Sequence, residues 1–128
     1  MLEQSSKFDF IGLSEIFDSR RYNRISIPGY HNMISKTREE DYRVGVGILI
    51  NNDFHFHVRD DLSAMVPHIY ESTFIEVTHF NGHLLNNNYI VGVIYRSNTP
   101  LRADFGVFSN TLLETMNIIN TENNKKKL

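Results

Sequence analysis

The sequence predicts an α+β domain, because short segments with period-two alternation fill its middle and the one strongly periodic helical stretch comes last. Phe8 to Glu15 reads as a buried strand, apolar on both faces with a polar end. A loop rich in Arg20, Arg21, Asn23, Arg24, Pro28 and Gly29 follows, and a weaker helical start precedes the strand. Arg43 to Ile50 alternates glycine with aliphatic residues, which predicts a second strand with close backbone approach on its glycine face. Asn51-Asn52-Asp53 is a turn signal, and Phe54 to Val58 alternates as the next strand. Thr73 to Phe80 and Tyr89 to Arg96 make two more strands, joined by Asn81-Gly82 and an asparagine run. In the last segment Phe105, Phe108, Leu112, Met116 and Ile119 recur at spacings of three or four, an apolar stripe that predicts a helix. Thr99 or Pro100 can open it, and Asp104 suits its positive end.

Residues 1–128 suit a single domain with one core, and no repeat or linker divides them. Hydrophobic residues at 41% and charged ones at 22% are ordinary for a folded globular chain. No apolar run approaches the roughly 20 residues that span a bilayer, so no membrane partner is expected. Glu3, Lys7 and Asp9 interrupt any secretory signal, and the absence of cysteine excludes disulfides and thiolate metal sites. Both features suit an intracellular protein, nuclear or cytoplasmic. A net charge of -2 gives no compositional support for gripping nucleic acid, and Lys125 to Lys127 read as a solvated helix terminus.

Chemistry concentrates at two strand ends. Ile11, Leu13 and Glu15 share one strand face, as do Val91, Val93 and Tyr95. Both rows are expected to face the core and to end on a polar group. A carboxylate in that position must sit at the rim, pair with one of the nearby arginines, or bind a hard cation. Tyr95, Arg96, Ser97 and Asn98 place a phenol, a guanidinium and an amide within four residues. Such groups donate to phosphate oxygens, although an ordinary turn would use them equally well. The six histidines read as surface or partly buried structural residues. No Gly-rich phosphate loop is present, since Gly45 and Gly47 lie inside a strand.

Asp9-Phe10-Ile11-Gly12-Leu13-Ser14-Glu15-Ile16-Phe17 resembles the D-x-I-x-L-x-E-T-W segment of the endonuclease/exonuclease/phosphatase superfamily. The nearest likeness is to endonuclease domains of jockey-like non-LTR retrotransposons. Ile27-Pro28-Gly29-Tyr30 resembles the family's I-P-G-Y, and Arg38 with Arg43 to Ile50 resembles its arginine followed by G-G-G-V-x-I-Y. Phe74-Ile75-Glu76-Val77 resembles the following strand. Val91 to Asn98 resembles the strand ending in Y-R-P-P-N, and the last helix resembles D-F-x-x-F-x-x-x-L. The matches run in order over nearly the whole chain.

The resemblance implies part of a two-sheet β-sandwich flanked by helices, with a Mg²⁺-dependent phosphodiester-cleaving site at one end of the sheets. It implies Glu15 as metal ligand, Tyr95 on the scissile phosphate, Arg96 and Asn98 on the DNA backbone, and DNA as partner. Ile16 stands in place of threonine and Ser97 in place of proline. The family's early asparagine motif would precede residue 1, and its G-D-F-N and S-D-H motifs would follow Leu128. The expectation is therefore a fragment truncated at both ends and inactive alone. Two alternatives stand beside it. One is a non-catalytic interaction module on the same scaffold, whose open strand edge recruits a partner or self-associates. The other is an unrelated α+β binding domain.

Overall fold

The computed structural model describes residues 8–14, 27–37, 45–66, 69–96 and 102–126. In chain order these form β1 (Phe10–Ser14), β2 (Ile34–Thr37), β3 (Gly45–Ile50), β4 (Phe54–Val58), β5 (Ala64–Val66), β6 (Tyr70–Phe80), β7 (His83–Arg96) and α1 (Arg102–Lys126). Two antiparallel sheets and a helix make the class α+β, as the sequence predicts. The early helical start and most of the arginine-rich loop lie outside the described residues.

The first sheet has the order β1-β3-β2, with Phe10 opposite Ile50 and Ile34 opposite Ile48. All of β3 is buried, which explains its nearly continuous apolar run. In the second sheet β6 is central. β7 pairs with it through Tyr89–Arg96 and again at His83 and Leu84, while β4 pairs with Ile75–Phe80 and β5 with Tyr70–Ser72. Asn81 and Gly82, both at positive φ (52° and 79°), make the two-residue hairpin that sets Phe80 opposite His83.

The apolar faces of the two sheets meet. Ile48 and Ile50 of the first pack with Phe54, Ile75 and Val77 of the second, and Phe10, Ile34, Phe56, Leu85, Val91 and Val93 close around them. Each fully buried aliphatic side chain there contributes about 1.5–3 kcal/mol relative to exposure. Gly12 makes the approach of β1 to β7 possible, because a Cβ on it would lie 2.7 Å from Val93 Cγ2.

Alternation along β1 then fixes which row faces the second sheet. Phe10 is in the shared core and Gly12 faces Val93, so Phe10, Gly12 and Ser14 form the inward row. Ile11 and Leu13, both partly buried, point to the other side, where Leu49, the partner of Ile11, is buried. The expectation that Ile11 and Leu13 line the core between the sheets is thus corrected. A row with a glycine in its middle looks empty in sequence, yet it is the one that admits a second sheet.

The second sheet's other face carries α1. Tyr70 meets Phe108 edge-on at 5.2 Å, and Thr115 is buried. The helix face turned to the sheet runs through Phe108, Leu112, Thr115, Ile119 and Glu122, whereas Phe105 and Met116 are mostly exposed. Part of the predicted stripe is therefore misplaced, because the sheet surface beneath α1 is itself partly polar and accepts threonine and glutamate. Two strand starts and two short strands also differ from expectation. β6 begins at Tyr70 rather than Thr73, β7 extends back through the asparagine run to His83, and the short β2 and β5 carry no alternation long enough to announce them.

Candidate functional site

β6 and β7 divide their residues between two unlike surfaces. Glu71, Thr73, Ile75 and Val77 of β6 stand opposite Tyr95, Val93, Val91 and Tyr89 of β7. Ile75, Val77, Val91 and Val93 belong to the core between the sheets, so Glu71 and Tyr95 continue the same inward rows to their end. Tyr95 is thus where alternation predicts it, half-buried at the end of a core-facing row. Beside it, the Glu71 side chain is fully buried. Cross-strand partners on one face of an antiparallel pair hold their Cβ atoms about 4.5–5.5 Å apart, within reach of a phenol and a carboxylate.

The ends of β1 and β7 point the same way. Phe10, early in β1, contacts Phe54, whose strand partner Phe80 is in turn paired with His83 at the start of β7. Gly12 lies against Val93 further along. Ser14 and Tyr95, two residues beyond each, therefore finish at the same end of the two-sheet core. Glu15 is the next residue in the chain after Ser14, but it lies outside the described residues, as does Asn98.

Arg96 is not brought to this end on the same face. Its guanidinium lies 5.4 Å from the Phe105 ring centre and 5.8 Å from that of Phe108, on the helix side of the sheet. That distance suits a cation–π contact, which gives Arg96 a packing role there. Sequence reasoning missed Glu71, because it began β6 at Thr73. The available signal was the period of two running back from Val77 through Ile75 and Thr73 to Glu71.

A second polar cluster lies on the helix side. Arg59 is bonded to Glu76 at 2.6 Å, to Glu122 at 2.7 Å and to Asp61 at 2.8 Å. Asn88 donates to the other Glu76 oxygen at 2.6 Å, and His57 lies 3.8 Å from Glu76. Hydrogen bonds to Asp61 foremost, then Glu122, raise the guanidinium above its ordinary range, and the Arg59 bond holds Asp61 below the usual aspartate value. Burial pushes the Tyr70 phenol up. Both oxygens of Asp61, Glu76 and Glu122 are directed at a donor, and the cluster ties α1 to the sheet.

Among the described residues no group of three or more His, Asp or Glu is arranged to hold a metal, and no helix is long and apolar enough to cross a membrane. No protein-family model, curated protein or solved structure matches the chain.

Proposed function

We propose that the chain is a portion of a Mg²⁺-dependent DNA endonuclease domain of the endonuclease/exonuclease/phosphatase type, from a retroelement, and that it does not cut DNA by itself. The observation that carries this reading is the common end reached by β1 and β7. The two segments most like the family, Asp9 to Phe17 and Val91 to Asn98, lie far apart in sequence, yet their strands finish together. Chance matches carry no such requirement. The two antiparallel sheets with a shared core are compatible with the family's sandwich, of which this would be an incomplete copy.

The chemistry present fits a hard cation in kind. Carboxylate oxygens are what Mg²⁺ takes, usually one or two together with water and substrate phosphate. In this reading Glu15 would hold the ion, which would supply charge stabilisation to a phosphodiester. Tyr95 would donate its hydroxyl to a phosphate oxygen, with Val91 and Val93 packing its strand against the core. Glu71, opposite Tyr95, would limit the positions the phenol can take. Asn98 would contact the DNA backbone, and Arg96 would do so only by leaving the Phe105 and Phe108 rings. No residue of this sequence supplies the G-D-F-N or S-D-H groups that activate water in the family.

Two assays test the reading. Purified chain incubated with supercoiled plasmid and Mg²⁺ is expected to leave it intact; nicking abolished by Glu15→Ala would overturn the claim of inactivity. Residues 9–108 substituted for the corresponding segment of an active retroelement endonuclease are expected to sustain Mg²⁺-dependent nicking that Glu15→Ala and Tyr95→Phe each remove. A folded chimera whose activity is indifferent to both changes would sink the family reading.

One observation favours an interaction module as a second reading. β7 is 14 residues long and carries a single charged residue, Arg96, at its last position. Among the described residues no strand pairs with its far edge. Edge strands of that length are normally guarded by charge or proline. A second copy of this chain, adding β7 to β7 in antiparallel fashion, would bring no like charges face to face. Sedimentation of a concentration series showing only monomer would remove this reading.

A further inference from the structure

We propose that His55 and His79 form a binding site for a borderline divalent transition-metal ion, of the Zn²⁺ class, separate from the proposed nuclease site. The two residues are strand partners across β4 and β6, so their side chains leave the same face of the sheet. That face is the one opposite the shared core, since the adjacent residues Phe54 and Phe56 turn inward. The imidazole centres are 5.7 Å apart and the rings stand nearly perpendicular, at 81°. Both rings line an open cavity of about 250 Å³, together with Phe56, Thr78 and Gly82.

The local backbone is irregular in a way that aims these groups. Register shifts between Val77 and His79 of β6 against β7, and between His55 and Phe56 of β4 against β6. Thr78 is the extra residue against β4, whereas against β7 the excess lies on β7, where Leu85 to Asn88 face Thr78 alone. Such bulges re-aim side chains that a regular ladder would send elsewhere. Here the bulge puts the Thr78 hydroxyl between the two histidines.

That hydroxyl decides the state of His79. Thr78 Oγ1 donates to the His55 carbonyl oxygen at 3.3 Å, and it lies 2.8 Å from His79 Nδ1. A hydroxyl has one hydrogen. With that hydrogen on the His55 carbonyl, the oxygen accepts from His79, which makes Nδ1 the protonated nitrogen and leaves Nε2 with its lone pair, the tautomer this proposal requires. This is how proteins prepare a metal-binding imidazole: the second ring nitrogen is held by a hydrogen bond that fixes tautomer and orientation. His31 and His57 are otherwise engaged, on the Phe54 carbonyl and beside Glu76 respectively.

Two imidazoles select among metals. They suit Zn²⁺, Cu²⁺ or Ni²⁺ and do not suit Mg²⁺, which requires oxygen. No third His, Asp or Glu among the described residues joins the pair, so water completes the coordination and binding is weaker than at a closed structural site.

The test is titration of the whole chain with Zn²⁺ alone, followed by calorimetry and by long-range ¹H–¹⁵N correlation of the imidazoles. Before metal is added, the His79 signals should report the Nδ1–H tautomer. Zn²⁺ should give one saturable event that shifts His55 and His79 together. His55→Asn and His79→Asn should each weaken binding at least about tenfold, and Thr78→Val about 10–100-fold, the usual effect of losing an orienting partner. His83→Asn should leave it unchanged. The proposal is overturned by an Nε2–H tautomer at His79, by no saturation up to millimolar Zn²⁺, or by affinity that survives His79→Asn. Unaltered affinity in a folded Thr78→Val variant overturns it as well.

Discussion

Placing a methyl group on Gly12 tests the contact on which the geometry of the candidate site depends. Taken alone, Gly12→Ala should help a strand by about 0.5–1 kcal/mol, because glycine gives up more backbone freedom on folding. Against this, the new Cβ would sit 2.7 Å from Val93 Cγ2, closer than packed carbon atoms come. Valine is stiff about χ1 and cannot swing its methyl away without leaving its preferred rotamer. Overpacking of this kind costs about 1–3 kcal/mol, so the net effect should lie between about zero and a loss of about 2.5 kcal/mol. Val93→Ala alone removes two methyl groups of a partly buried side chain and should cost up to about 1.6 kcal/mol before any cavity contribution. In the double variant the alanine at position 12 meets no methyl, so destabilisation should fall short of the sum by about 1–3 kcal/mol. Urea unfolding of the four proteins measures this coupling. Additivity within about 0.5 kcal/mol would refute the close approach of β1 to β7, and with it the common strand end proposed as the site.

Two further outcomes follow from the cluster around Arg59. Arg59→Met should cost about 3–5 kcal/mol in thermal or urea unfolding, since the Glu76 side chain is only 8% exposed and would lose its 2.6 Å ion pair while staying buried. Arg59→Met combined with Glu76→Leu should recover much of that loss, and a double variant as unstable as the single would show that packing, not charge, is responsible. Asp61 is 59% exposed, so solvent screening limits Asp61→Asn to at most about 1 kcal/mol at neutral pH. Its carboxyl is held below the free aspartate value of about 3.9, so the contribution is present above that pH and disappears as pH falls through the folded value. Melting curves from pH 6 downward should therefore show wild type and Asp61→Asn converging under acid; a gap that persists there would exclude Asp61 as its source.

Elements that punctuate themselves were legible in the sequence. β4 is bounded by Asn51-Asn52-Asp53 and by the end of its own alternation, and it forms over the predicted residues. The Asn81-Gly82 turn is likewise decided locally, by two residues that tolerate positive φ. Tertiary pairing decided the rest. Asn86 to Asn88 have little intrinsic strand preference and fall at the register shift against β6, yet paired segments on either side make them part of β7. β5 is three residues long and is held by side chains: Ser72 Oγ accepts from the Ala64 amide, and Ser63 Oγ accepts from the Phe74 amide. No local pattern encodes such a bond. The face of β1 was misread for a related reason. Apolar Ile11 and Leu13 signal burial correctly, but burial against the second sheet requires room, and the room is at Gly12.

The same distinction governs what can be inferred about function from β6. Residues 70–77 are all buried, because one face meets the first sheet and the other lies under α1. The strand nevertheless carries two glutamates, on opposite faces. Burying a carboxylate is costly, and each one retained has to be explained by what surrounds it. Glu76 is explained by Arg59 and Asn88, which fasten the helix. Glu71 lies on the other face, in the row that ends beside Tyr95, where the end of β1 also arrives. A carboxylate buried next to a phenol at the junction of two sheets is the kind of arrangement that sites use to hold a reactive group in place. Under the proposed reading, Glu71→Gln in the active chimera should thus lower nicking while leaving the fold intact. Arg96→Ala, which loses the contact with the Phe105 and Phe108 rings, should cost stability more than activity. The opposite ranking would move the site to the helix side of the sheet.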